Sequence, residues 1–250
     1  MEMIIQVFFI GFTAALLSSI SGGGSALVAT PLLIMLGYPL QLVIASNNLS
    51  GACWTPFAAR NYLKTLKIDY TLVSSLVILG IVGSWLGATV VTGFDEALLK
   101  IIVGTIIFCL SILVYFKKDF GLEEKKATLS KTLCSLFALP LGFYEGFFGS
   151  GNGLFTSAVL TRFQGFSLIR ALGTYYIIAF FWCSIAAATY IYKGFWDTNL
   201  MLPAASGSIL GASLGSKLGK KYGAPYVRKC FVAVGSILGL ELLLNGFQSM

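Results

Sequence analysis

Apolar stretches of about 20 residues recur along the chain between short polar turns, and each is long enough to cross a bilayer as a helix. In the first half they predict elements at 3–20, 26–36, 41–62, 70–92 and 96–116. In the second half they predict elements at 131–148, 154–162, 168–192, 197–217 and 225–246. The second element of each half is too short to span. Residues 26–36 would rise about 16 Å as a helix, roughly half of a ~30 Å hydrocarbon core, and 154–162 less. Each reads as a half-helix returning from a break inside the membrane. Non-helical backbone at that depth is tolerated only when it is buried in protein or lines water.

The pattern occurs twice. The first short element follows Ser21-Gly22-Gly23-Gly24-Ser25, and the second follows Gly149-Ser150-Gly151-Asn152-Gly153, 128 residues later. The same ungapped shift of 128 takes Gly37 to Gly165, Leu40 to Leu168, Trp54 to Trp182, Tyr62 to Tyr190, Asp69 to Asp197, Gly83 to Gly211 and Gly87 to Gly215. A duplicated membrane segment with a glycine break near the start of each half is a signature of secondary transporters. The expected fold is an all-α polytopic membrane protein of two inverted-topology repeats, each with four roughly full-length helices and one half-helix. Residues 1–116 form repeat 1, 117–130 a cytoplasmic linker and 131–250 repeat 2, within one membrane domain.

Composition agrees. Only 11% of residues are charged, against about 25% in a soluble domain. The net charge of +7 comes from short loops rather than a nucleic-acid-binding face. If the elements alternate across the membrane, 15 of the 17 lysines and arginines fall on one side, leaving only Lys100 and Lys193 on the other. The positive-inside rule makes that side cytoplasmic and puts both termini outside. Equivalent loops differ in charge: 60–69 carries three basic residues and its partner 188–197 only Lys193. Five elements per half is an odd number, so the second half enters upside down. Met1-Glu2-Met3 lacks the basic start of a signal peptide. The five cysteines have no paired spacing and read as small buried hydrophobes. There is no histidine, which excludes a Ser-His hydrolase. No metal or cofactor site is expected.

The breaks carry the candidate chemistry. Each leads into a helix N-terminus, with free N–H groups and the positive end of the dipole. Glycine lets a ligand approach the backbone, and two such termini would make an anion site. Ser21, Ser25 and Asn152 add donors suited to the oxygens of a carboxylate, sulfite or sulfonate, so Ser21, Gly22, Gly23, Gly24, Ser25, Gly151, Asn152 and Gly153 are candidate substrate contacts. Glycines also pack membrane helices closely, which is the better reading for Gly83, Gly87, Gly207, Gly211, Gly215 and Gly219. Asn47 and Asn48 match Tyr175 and Tyr176 across the repeat, after Ala45-Ser46 and Gly173-Thr174. Asn47, Asn48, Thr174 and Tyr175 line a candidate pathway or bond between helices. Trp54 and Trp182 read as packing. Glu145 is the one acidic residue clearly within a membrane segment, and an intramembrane carboxylate is a functional candidate, here for proton coupling. Asp69 and Asp197 read as helix caps.

Ser19-Ile20-Ser21-Gly22-Gly23-Gly24, Ala45-Ser46-Asn47 and the run Gly142 to Gly153 resemble the TauE/SafE family of sulfite and organosulfur-anion exporters, closest to its YfcA-like branch. The resemblance covers nearly the whole chain. It implies a prokaryotic inner-membrane carrier for small sulfur-containing or carboxylate anions. That branch commonly has Asp at the place of Glu145, and often lysines where Asn48 and Tyr175 stand. A site without those cations holds a doubly charged anion less well.

The sequence therefore points to a secondary transporter, an exporter by resemblance, of sulfite, sulfonates or related organosulfur anions, working by proton-coupled alternating access. A passive anion channel is the alternative. The absence of histidine and of any spaced cysteine or carboxylate cluster speaks against an intramembrane enzyme, and a scaffold would leave the matched breaks unexplained. The expected partners are a small anion and membrane lipid, not nucleic acid, with monomer and homodimer both open.

Overall fold

The computed structural model describes residues 2–21, 24–63, 68–91, 124–149 and 152–222, together with parts of 93–112 and 236–248. All regular structure among these residues is helical. The first half contributes α1 (Glu2–Ser21), α2 (Ser25–Met35), α3 (Leu40–Leu63) and α4 (Tyr70–Val91). The second contributes α5 (Lys131–Leu136), α6 (Ala138–Phe148), α7 (Gly153–Gln164), α8 (Leu168–Tyr192) and α9 (Thr198–Tyr222). By length and composition, three described helices can cross a membrane: α1, α4 and α8. Helices α3 and α9 are also long, at 24 and 25 residues, but serines, asparagines and glycines dilute their apolar character.

The element expected at 131–148 is split. Phe137 turns back onto Cys134 with an N–H···O bond of 3.2 Å, and α6 restarts at Ala138. Pro140 is the cause: it has no N–H for the Leu136 carbonyl, and its ring crowds that carbonyl. Pro140 is harmless in the first turn of a new helix. The last long element runs on to Tyr222, past the expected 217. The elements expected at 96–116 and 225–246 fall largely outside the described residues. Their described glycines lie against each other's element, Gly104 against Gly239 and Leu243, and Gly246 against Ile101 and Ala97.

The long helices pack in the order α1, α9, α3, α8, α4, α6, with α2 against α1 and α3, and α7 against α8. Close contact depends on glycine. A Cβ on Gly83 or Gly87 would overlap the carbonyl oxygens of Leu139 and Phe143 on α6. One on Gly207 or Gly211 would overlap those of Phe8 and Phe12 on α1. Backbones can touch only where no side chain intervenes, which is how membrane helices gain dispersion contact without a hydrophobic drive. Both half-helices end in left-handed glycines, Gly37 at φ 89° and Gly165 at φ 68°. Asp69 caps α4 through the Leu72 N–H at 3.2 Å, and Asp197 caps α9 through Asn199 and Leu200 at 2.7 and 3.0 Å.

The outer surface is apolar. Ile78, Val82 and Trp85 on α4, and Leu210, Leu214 and Leu218 on α9, form exposed rows at helical spacing. Such faces suit lipid rather than water. The loop ends divide into two sets. Lys131 pairs with Asp69 at 2.6 Å, Arg170 with Glu124 at 3.3 Å, and Gly219 lies beside Tyr62. In the other set, the Lys193 ammonium donates to the Thr89 carbonyl at 3.1 Å, and Gly246 lies near Ala97.

Candidate functional site

Each break lies between the end of one helix and the start of a short one. Helix α1 ends at Ser21, Gly24 is left-handed at φ 108°, and α2 begins at Ser25. Helix α6 ends in left-handed Gly149 at φ 73°, and α7 begins at Gly153. Gly22, Gly23, Ser150 and Gly151 lie outside the described residues, as does the side chain of Ser21. Neither N-cap residue makes a side-chain cap bond among the described residues: Gly24 has no side chain to offer, and Asn152 instead donates its amide to the Leu141 carbonyl at 2.6 Å.

Both breaks meet the same segment of α3. A Cβ on Gly149 would come within 2.7 Å of the Ile44 carbonyl oxygen and 3.1 Å of Asn47 Cβ and Asn48 Nδ2. Asn47 also borders a small cavity shared with Ser25, the first residue of α2. Its amide donates to Thr30 of α2 at 2.8 Å. One turn of α3 therefore lies against both breaks. Asn48 is fully buried, with its amide on the Ile44 carbonyl at 3.1 Å and its Oδ1 without a partner among the described residues.

Glu145 is fully buried, and it is the only charged residue type so buried among the described residues. The Tyr175 hydroxyl donates to its two oxygens at 3.1 and 3.3 Å, and the Cys183 thiol to one at 3.2 Å. Asn152 of the second break lies beside the same carboxyl. Behind Tyr175 a run of rings, Tyr175 to Tyr176 to Trp54 and Tyr62, crosses the α3–α8 seam at centroid spacings of 5.3 to 5.7 Å. The Tyr176 and Tyr62 hydroxyls donate to the carbonyls of Ser18 and Ser19, in the last turns of α1, at 3.3 and 2.6 Å. Tyr190, 128 positions after Tyr62, donates to the carbonyl of Gly146 just before the second break at 2.8 Å. Each break is thus held from behind by a tyrosine.

Of the residues singled out in the sequence, Ser25, Asn47, Asn48, Glu145, Asn152 and Tyr175 cluster around the breaks. Gly24 and Gly153 flank the two half-helix starts. Thr174 is buried beside Tyr175, and no contact ties it to either break among the described residues. Trp54 and Trp182 pack, the former on Tyr176 and the latter on Gly80. The cysteines are more varied than expected. Cys134 and Cys183 are buried, Cys53 is half-buried and Cys109 is exposed, all as free thiols, while Cys230 lies outside the described residues. An exposed thiol is at ease on an apolar outer surface, where burial by protein is not needed to hide it from water.

Several polar groups escaped the sequence reading. Ser46 and Ser50 on α3, and Thr156 and Ser157 on α7, are buried with unpartnered hydroxyls among the described residues. Ser50 stands three residues after Asn47, so helical periodicity could have placed it on the same face. Cys183 had no such signal, because its partner lies on another helix.

The family described as sulfite exporter TauE/SafE matches residues 7–242. A probable membrane transporter protein of Haemophilus influenzae is 28% identical over 247 residues, covering 98% of this chain and 96% of its own. Probable membrane transporter protein ORF9 of a Sinorhizobium species is 25% identical, covering 96% and 92%. Probable membrane transporter protein YfcA of Escherichia coli K12 is 27% identical, covering 96% and 89%. No solved structure matches the chain. These relatives are named as transporters, not enzymes, and the exposed apolar rows and spanning helices fit a membrane protein. The chain belongs to the TauE/SafE sulfite exporter family of membrane transporters.

Proposed function

We propose that the protein is a secondary transporter of small anions, of the sulfite, sulfonate or related organosulfur class. It exports them by alternating access of two inverted halves, residues 1–116 and 131–250. The observation that carries this reading is the meeting of both breaks on Ile44 to Ser50 of α3. This stretch of α3 lies beside Gly149, where α6 ends in the second break, and borders a cavity with Ser25, where α2 starts after the first, which suits an anion site between the two breaks.

The packing order supports two related halves. Replace each helix by its partner 128 residues away, and the order α1, α9, α3, α8, α4, α6 reads the same from its other end. The grouping of loop ends supports the inversion, because the charge count assigns Lys131, Asp69, Arg170 and Glu124 to one side and Lys193 and Thr89 to the other. On this reading the linker 117–130 is cytoplasmic, and both termini lie outside a prokaryotic inner membrane.

Glu145 is the coupling residue of this proposal. Ionised, it repels an anion in the adjoining break. Protonated, it does not, and it becomes a donor. Proton and anion then favour each other's binding.

The test is a thermal-shift screen of the purified protein with sulfite, sulfoacetate, sulfolactate, thiosulfate and small carboxylates, followed by flux in proteoliposomes. A bound anion raises Tm, and an imposed pH difference drives its accumulation. Flux that only dissipates a gradient would favour a passive channel. No shift with any anion would sink the anion reading.

A further inference from the structure

A small cavity of about 10 Å³ lies where α1 and α9 face α2 and α3, with room for about one water-sized atom. Gly11, Ala204 and Ser208 form one wall; Ser25, Asn47 and Ser50 form the other. Most of its polar groups are committed. The Ser208 hydroxyl donates to the Gly11 carbonyl at 3.2 Å, and the Asn47 amide to Thr30 at 2.8 Å. Ser50 differs. It is 7% exposed, and its hydroxyl has no partner among the described residues. The start of α2, an 11-residue helix whose preceding residue Gly24 makes no side-chain cap, borders the same space. Its dipole brings positive potential there. Among the described residues, no carboxylate and no lysine or arginine lines the cavity.

We propose that this cavity is the seat of one oxygen of a singly charged oxyanion, a carboxylate or a sulfonate, held by the Ser50 hydroxyl and the N-terminus of α2. This rests on the anion-transport reading above. A positive dipole end with no carboxylate repels a cation, and an unspent hydroxyl beside it selects an acceptor. The charge limit follows from desolvation. Moving an ion into a dry site costs in proportion to the square of its charge, and neutral donors offset that cost for one charge far better than for two. The cavity admits a single atom, so the rest of the ligand needs the α1–α9 wall to part from α2 and α3. That wall is one unit, joined by the Ser208 bond and by the seat of Gly11 on the Ala204 carbonyl.

The experiment uses the full-length purified protein, with methanesulfonate and acetate as singly charged probes and sulfate as the doubly charged one. Thermal shift gives stability and titration calorimetry gives affinity. Ser50→Ala removes only an unpartnered hydroxyl, so Tm without ligand should hold, while affinity for both singly charged probes falls about tenfold, as for a lost hydrogen bond to a charge. Ser50→Thr keeps the hydroxyl and should stay within about threefold of the parent. Ser206→Ala, on the exposed face of α9, is the control. Sulfate should bind at least about tenfold more weakly than methanesulfonate. If Ser50→Ala lowers Tm but leaves affinity unchanged, the cavity holds a structural water only, and the seat is overturned while anion transport stands. Equal or tighter binding of sulfate overturns the charge limit. If no probe shifts the parent protein, but a larger sulfonate does, the seat fails alone; if nothing does, anion transport fails with it.

Discussion

Glu145 and Gly149 occupy consecutive turns of one helix end and admit separate tests. Glu145→Gln keeps the shape of the side chain and can still accept from Tyr175 and Cys183, but it cannot ionise. The variant should bind and exchange substrate in proteoliposomes yet lose accumulation driven by a pH difference. Accumulation at the parent level would make Glu145 structural. Gly149 needs glycine for two reasons: its φ of 73°, and the Ile44 carbonyl 2.7 Å from where a Cβ would stand. Gly37 has a similar φ of 89° but open space around it. Gly37→Ala should therefore cost about 1 kcal/mol of backbone strain. Gly149→Ala should cost clearly more and weaken anion binding, because the break must then retreat from α3. Equal losses in Tm and affinity would remove the close approach from the account. Gly219 is tighter than its place near a helix end suggests: a Cβ there would lie 2.9 Å from the Tyr62 hydroxyl, which is bonded to Ser19.

At the scale of elements, the α4–α6 and α1–α9 pairs rest on glycine contacts, so Gly83→Ala and Gly211→Ala should each destabilise by about 1–3 kcal/mol through overpacking. Similar drops in Tm for the two variants would match their equivalent places in the repeat; a neutral result at either would mean the helices can slide apart without loss. The start of α4 is tied to the start of α5 by Asp69 and Lys131, 2.6 Å apart. Above all, the hydrogen bond from Lys131 holds the Asp69 carboxyl below its ordinary value. Folding thus favours the carboxylate. That stabilisation is fully present above the unfolded-state pKa, about 4, and is lost as pH falls through the lower folded-state value. Asp69→Asn retains a helix cap and isolates the charge. It should lower stability at neutral pH by at most about 1 kcal/mol, the pair being partly exposed, and the difference from the parent should close in acid. A gap that persists below about pH 3 would point to the cap instead.

For the whole molecule, the inverted arrangement makes a topological demand. Lys125 and Lys193 must lie on opposite faces of the membrane. Lys125→Cys and Lys193→Cys, made in a background with exposed Cys109 replaced, can be probed in intact cells with a membrane-impermeant thiol reagent. Position 193 should label and position 125 should not. Labelling of both from outside would break the model of two inverted halves, whatever the fate of the anion site.

Element positions were legible because lipid imposes a simple rule: backbone polar groups must be bonded within the segment, so spans declare themselves as apolar runs of fixed length. The shortness of α2 and α7 was legible for the same reason, through their short apolar runs. Asp69 and Asp197 as caps, and the ladder glycines as contacts, follow from local chemistry that sequence alone carries. The sequence also singled out Asn47, Glu145 and Tyr175, but as separate signals. Only tertiary structure decided that Asn47 lies beside Gly149 and shares a cavity with Ser25, that Tyr175 and Cys183 of α8 share the carboxyl of Glu145 on α6, and that among the described residues Ser50 has no partner while Ser208 has one. Those facts depend on which faces of distant helices meet. Periodicity fixes the face of one helix relative to its own axis, whereas the partner face is chosen by packing across separations that run here from 30 to 197 residues of chain.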